Sequence, residues 1–146
     1  MCIMNSEMGT GTCGFKELNH TADVAVKVWG DSIQALFFQA ALALYAIAGV
    51  CDEVDVHTTS KIMDLHLRET DMEALLIAFL TEMLYYLGDG ILFNPQEISI
   101  QGNSLEAKLI GKEGVSVQRE VKAITYHHLQ IEFYGGIYKT EIVFDV

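Results

Sequence analysis

The stretch Val24-Ala25-Val26-Lys27-Val28-Trp29-Gly30-Asp31-Ser32-Ile33 joins two kinds of structure. Val24, Val26 and Val28 alternate with Ala25, Lys27 and Trp29, the two-residue period of a strand. Gly30-Asp31-Ser32 breaks that period and offers a helix N-cap. From Ile33 the apolar residues recur at Leu36, Phe37, Ala40, Leu44 and Ile47. That spacing places them on one face of a helix, and Gly49 is positioned to stop it.

The same grammar extends down the chain. Val54 to Thr59 and Lys61 to Arg68 read as two strands, the second with Met63, Leu65 and Leu67 alternating against polar residues. Thr70-Asp71-Met72-Glu73 has the form of a capping box. Leu75, Leu76, Phe79, Leu80, Met83, Leu84 and Leu87 follow as a broad apolar stripe, ended by Gly88. The rest is strand-rich. Ile91 to Phe93 reads as a short strand before Pro95. Ile98 to Gln101 and Ser104 to Ile110 flank the turn pair Gly102-Asn103. Val121 to Tyr134 and Ile137 to Asp145 flank Gly135-Gly136. Two helices among mostly antiparallel strands give an α+β layered sandwich, the helices packed on the sheet. Met1 to Gly14, rich in Gly, Thr, Ser and Met, reads as a flexible N-terminal extension. Residues 15–146 read as one domain.

Composition narrows the function. The chain has 146 residues, and 9 Lys and Arg stand against 20 Asp and Glu, a net charge of −11. Such a surface repels phosphate backbones, which argues against strong direct nucleic-acid binding and favours a basic protein partner. The cysteines, Cys2, Cys13 and Cys51, are odd in number and widely spaced, with no C-x-x-C pair. That argues against a disulfide framework or a structural zinc site. Met1 to Gly14 lacks the pattern of a secretory signal, and no apolar run reaches membrane-spanning length. A reduced, cytoplasmic protein is the expectation.

No G-x-S-x-G, glycine-rich phosphate loop or H-E-x-x-H occurs. Two aspartates at strand ends remain. Asn19-His20-Thr21-Ala22-Asp23 leads into the first valine strand, and Val143-Phe144-Asp145-Val146 closes the last strand. If those strands are neighbours, Asp23, Asp145 and a carboxylate on Val146 converge as an oxygen-rich site for a hard cation. Taken singly, an aspartate near a strand end is more often a solvated turn residue. Of the five histidines, His127 and His128 are adjacent and face opposite ways on a strand. His20 lies three residues from Asp23. Lys122, taken alone, reads as a solvated strand lysine.

Several segments together resemble the archease family. They are His20-Thr21-Ala22-Asp23-Val24, Glu73-Ala74-Leu75-Leu76, Val121-Lys122-Ala123-Ile124-Thr125-Tyr126-His127 and Phe144-Asp145-Val146. The resemblance is collinear over about residues 15–146. It implies an accessory protein of tRNA splicing that is not itself a catalyst. Its partner would be the RtcB-type RNA ligase, which joins a 2′,3′-cyclic or 3′-phosphate end to a 5′-hydroxyl. Archease-like proteins promote guanylylation of the ligase histidine by GTP, so that the ligase turns over repeatedly. The resemblance also implies metal ligation by Asp23, Asp145 and Val146, with calcium the favoured ion and magnesium or manganese the alternatives. His20 and Lys122 become candidates for contact with the partner. Two other functions fit the residues less well. One is a stand-alone metal-dependent hydrolase using His20. The other is a general chaperone or binding module, which rests on fold analogy.

Overall fold

A computed structural model describes residues 7–18, 23–51, 60–126 and 128–146, with side chains from residue 11 onward. The valine strand, β3 (Val24–Gly30), lies inside a six-stranded antiparallel sheet. On one side it pairs with β2 (Cys13–Leu18), which in turn pairs with β1 (Glu7–Thr10). On the other side it pairs with β11 (Ile137–Asp145). The far edge of β11 is shared by β9 (Ala123–Thr125) and β10 (Glu132–Tyr134).

The pleat sorts this sheet into two faces. Val24, Val26 and Val28 stand opposite Phe144, Ile142 and Thr140, and all six are buried. The alternate positions face outward, with Lys27 opposite Glu141 and Trp29 opposite Lys139. Ala25 is the exception among them, with no exposed surface.

Helix α1 (Ile33–Ala48) packs under the buried face. It carries no charged residue, and nearly all of its second half is buried. A helix apolar on most sides needs cover on most sides. It touches β2 and β3 in one sheet and β6 (Ile91–Gln101) in another. Ser32 is its N-cap and accepts the Ala35 N–H at 3.0 Å. The left-handed Gly49 ends it, donating its N–H to the Ala46 carbonyl. No basic residue lies in its last turn, and Arg119 supplies one from afar, its Nε 3.1 Å from the Ile47 carbonyl. Gly30 is required where β3 meets this helix. A Cβ there would lie 2.6 Å from the Leu36 backbone nitrogen.

The second sheet orders β5 (Ser60–Arg68), β7 (Ser104–Glu113) and β6 as three antiparallel strands. A small pair, β4 (Val50–Cys51) with β8 (Ser116–Val117), lies beside them. Helix α2 (Met72–Gly88) packs on α1, β6 and β5, burying Leu75, Leu76, Phe79, Leu80 and Met83. Tyr45 of α1 bridges the layers, its hydroxyl donating to the Phe93 carbonyl of β6. Two helices packed on antiparallel sheets are the expected α+β arrangement.

Several local expectations shift. The segment read as a loose extension is in part a hairpin, with Met8 opposite Phe15 and Thr10 opposite Cys13. Gly14 and Phe15 are buried, so the sheet reaches further back than the glycine-rich composition implies. Strand β6 does not stop at Pro95. It runs through it, with the register shifting between Pro95 and Glu97, the bulge that lets an edge strand carry a proline. The α2 cap is Asp71, which accepts the Ala74 N–H at 2.7 Å, rather than a Thr70–Glu73 box. Cys13 is free, but Cys51 is disulfide-bonded, against the expectation of three reduced thiols. The strand expected at Val54 to Thr59 lies outside the described residues. Among the described residues no helix is long and apolar enough to cross a membrane.

Candidate functional site at one end of the six-stranded sheet

The β3–β11 register runs from Gly30 opposite Tyr138 to Val24 opposite Phe144. Asp23 precedes Val24 and Asp145 follows Phe144, so the next position along this register sets the two aspartates across from each other. Directly opposed residues in an antiparallel pair point to the same face, with Cβ atoms about 4.5–5.5 Å apart. Both aspartates are half-buried, as is Val146, whose side chain packs on the core. On its other edge Asp145 stands opposite Ala123 of β9, and the Lys122 N–H donates to the Asp145 carbonyl at 2.7 Å. Val121, buried just before, anchors that approach. Asp23, Asp145, Val146 and Lys122 therefore meet at one end of the sheet, although their positions in the sequence are far apart. His20 lies outside the described residues.

Like charges opposed across a strand pair destabilise it. Among the described residues no hydrogen bond or ion pair engages either carboxylate group. A cation between them relieves that repulsion. The donors are all oxygen, the chemistry a hard divalent ion takes, with carbonyls and water completing its shell. Among the described residues no group of three or more His, Cys, Asp and Glu assembles around a common point. Two carboxylates, with main-chain oxygen at Val146, are donors of the kind a hard cation takes.

A loop next to this end is tied down with unusual thoroughness. Thr125 faces Val143 while Glu132 faces Lys139, so seven steps on one side oppose four on β11 and three residues loop out. The expected continuous strand from Val121 to Tyr134 is therefore two short strands with a loop between. Tyr126 donates its hydroxyl to Asp71, at 3.3 Å to Oδ2. Loss of solvation and the Asp71 charge beside it push this phenol above its ordinary value. The Leu129 N–H donates to the Tyr126 carbonyl at 3.1 Å. The Thr140 hydroxyl donates to the Gln130 carbonyl at 2.7 Å, and the Ile131 N–H donates to Glu73 Oε1 at 3.2 Å. Asp71 and Glu73 at the start of α2 thus hold both ends of the loop. Sequence reasoning assigned this pair to local capping, because partners 55 and 58 residues away leave no local pattern.

Comparison with known proteins places these segments in a wider set. The family model described as the Archease protein family matches residues 15–146. A protein archease of Thermococcus gammatolerans is 33% identical over 129 residues, covering 81% of this chain and 87% of the relative. A protein archease of Methanosarcina mazei is 28% identical over 142 residues, covering 90% and 95%. A crystal structure from Thermotoga maritima, described as an archease and possible chaperone, is 29% identical with a TM-score of 0.63. It is matched over 90% of this chain and 96% of that one. A solution structure from Methanobacterium thermoautotrophicum shares the fold at a TM-score of 0.65 and 22% identity, over 90% of this chain and 98% of that one.

Proposed function

This chain belongs to the archease family, and from that premise we propose that it is a non-catalytic activator of an RtcB-type RNA ligase. In this reading it promotes guanylylation of the ligase by GTP and so sustains repeated turnover in tRNA splicing and RNA repair. The observation that carries the reading is the register that sets Asp23 against Asp145 and brings the Lys122 backbone onto Asp145. Family membership and the net charge of −11 support a protein rather than a nucleic-acid partner.

Asp23, Asp145 and the main-chain oxygen of Val146 would hold the ion, calcium by preference. When bound, it supplies positive charge at a surface that otherwise repels phosphate. The chain's own residues do the rest. Pairing of β3 with β11 holds the two carboxylates in register. The Lys122 N–H fixes the Asp145 main chain, and Lys122 offers an exposed ammonium beside the acidic end. His20, three residues before Asp23, is the second candidate for contact with the ligase. Glu73 and Asp71 keep the neighbouring loop from drifting across the site.

The test measures guanylylation and multiple-turnover ligation by a cognate ligase with wild type, Asp23→Ala and Asp145→Ala. Loss of stimulation in both variants, with their melting temperatures retained, is expected. Stimulation equal to wild type by both variants overturns the reading.

A further inference from the structure

The outer face of the six-stranded sheet holds a cavity of about 490 Å³, within the range of small-ligand sites. It lies towards the hairpin end of β11, several residues from Asp145. Lys27, Trp29, Lys139 and Glu141 form its floor from β3 and β11, and Glu132 and His128 rise at its wall. Of nine basic residues in this acidic chain, two point into this one hollow. Neither Lys27 nor Lys139 has an ion-pair partner among the described residues.

The wall is built with care. His128 sits at φ 61, the only non-glycine residue at positive φ among the described residues. That conformation costs about 1 kcal/mol or more and persists only where surroundings hold it. The loop around it is held by Tyr126 to Asp71, Ile131 to Glu73, and the buried Thr140 to Gln130. A positive-φ histidine over a hollow that holds an indole and two ammonium groups, each opposite a glutamate but in no ion pair among the described residues, is an arrangement for a ligand.

We propose that this cavity binds a nucleoside phosphate, the phosphate between Lys27 and Lys139 and the base against Trp29. Ammonium groups are phosphate partners, and an indole face stacks on any base. Glu132 and Glu141 accept from ring N–H or ribose hydroxyl donors, a role that a bare phosphate site would not need. The site is separate from the carboxylate end and stands whether or not an ion binds there.

Trp29 is the single tryptophan, so its fluorescence reports on this cavity alone. The experiment titrates the full chain, in chelator, with guanosine and adenosine monophosphates, ribose 5-phosphate and inorganic phosphate. Saturable quenching by a nucleoside monophosphate, weakened by salt, is expected. Lys27→Ala and Lys139→Ala should each weaken it by about tenfold or more with unchanged melting temperature. Asp145→Ala should leave it intact, which separates this site from the ion site. Absence of saturable quenching, quenching as tight as wild type's in both lysine variants, or quenching by inorganic phosphate as strong as by a nucleotide overturns the proposal.

Discussion

The two faces of the β3–β11 pair differ in what each residue is for. On the inner face, Val24, Val26, Val28, Ile142 and Phe144 are buried against the helix layer. On the outer face, the residues between them include Lys27, Lys139, Glu141 and the two aspartates. The pleat turns each residue away from its neighbour, so one strand serves both purposes with no trade between them. Buried packing is concentrated on one parity of the sequence, and the charged side chains on the other.

Phe144→Ala tests the inner face most severely. It removes a fully buried ring and should lower stability by about 3–5 kcal/mol, read as the midpoint of urea unfolding. Asp145→Ala, the next residue, should change it by less than about 0.5 kcal/mol in chelator. If the two losses are similar, the division by parity is wrong. Calcium sharpens the contrast. At 100 times its dissociation constant it should stabilise wild type by about 2.7 kcal/mol and leave Asp145→Ala unmoved, followed by calorimetry with added calcium.

Tyr45 belongs to the buried side and adds a pH signature. Burial pushes its phenol well above the ordinary value for a tyrosine, and the hydrogen bond to the Phe93 carbonyl opposes this. A phenol raised in the folded state contributes its full stability below pH 10, and that contribution is lost as pH rises further. Tyr45→Phe removes the hydroxyl donor to the Phe93 carbonyl and should cost about 1–2 kcal/mol at pH 7. The gap between variant and wild type should narrow above pH 10 in unfolding curves taken across pH. A gap that stays constant would show that the phenol does not titrate as its burial demands.

Ser32→Ala should cost about 1 kcal/mol through loss of the α1 cap, measured by the same curves. The smallest effect belongs to Lys61→Ala. Its ion pair with Glu113, at 2.8 Å, is solvent-exposed, and no shift of the unfolding midpoint is expected.

What the sequence reveals follows the same divide. The alternation of Val24, Val26 and Val28, the Ser32 cap and the Gly49 stop are local signals, and the structure forms each of them. The aspartates could be picked out because each ends a strand, but their meeting depends on which strands pair. Segments governed by distant partners were less readable. Pro95 predicts a strand end unless one knows that β6 is an edge strand with a bulge. The loop from Tyr126 to Ile131 looks like strand because its tethers, Asp71 and Glu73, lie on another element. The hairpin at Glu7 to Leu18 is hidden by glycine and threonine, since its stability comes from β3 rather than from its own pattern.

The place of β11 between β3 and its shared edge partners bears on how the protein is made. Residues 24 and 144 are partners, so β3 must wait for almost the whole of this sequence to emerge before its second edge is covered. During synthesis that apolar strand presents an open hydrogen-bonding edge, a template for pairing with another nascent chain. Pairings of such high contact order are also slow to form. The join that sets the two aspartates face to face is thus among the late steps of folding, and a chain stalled before it exposes an aggregation-prone edge.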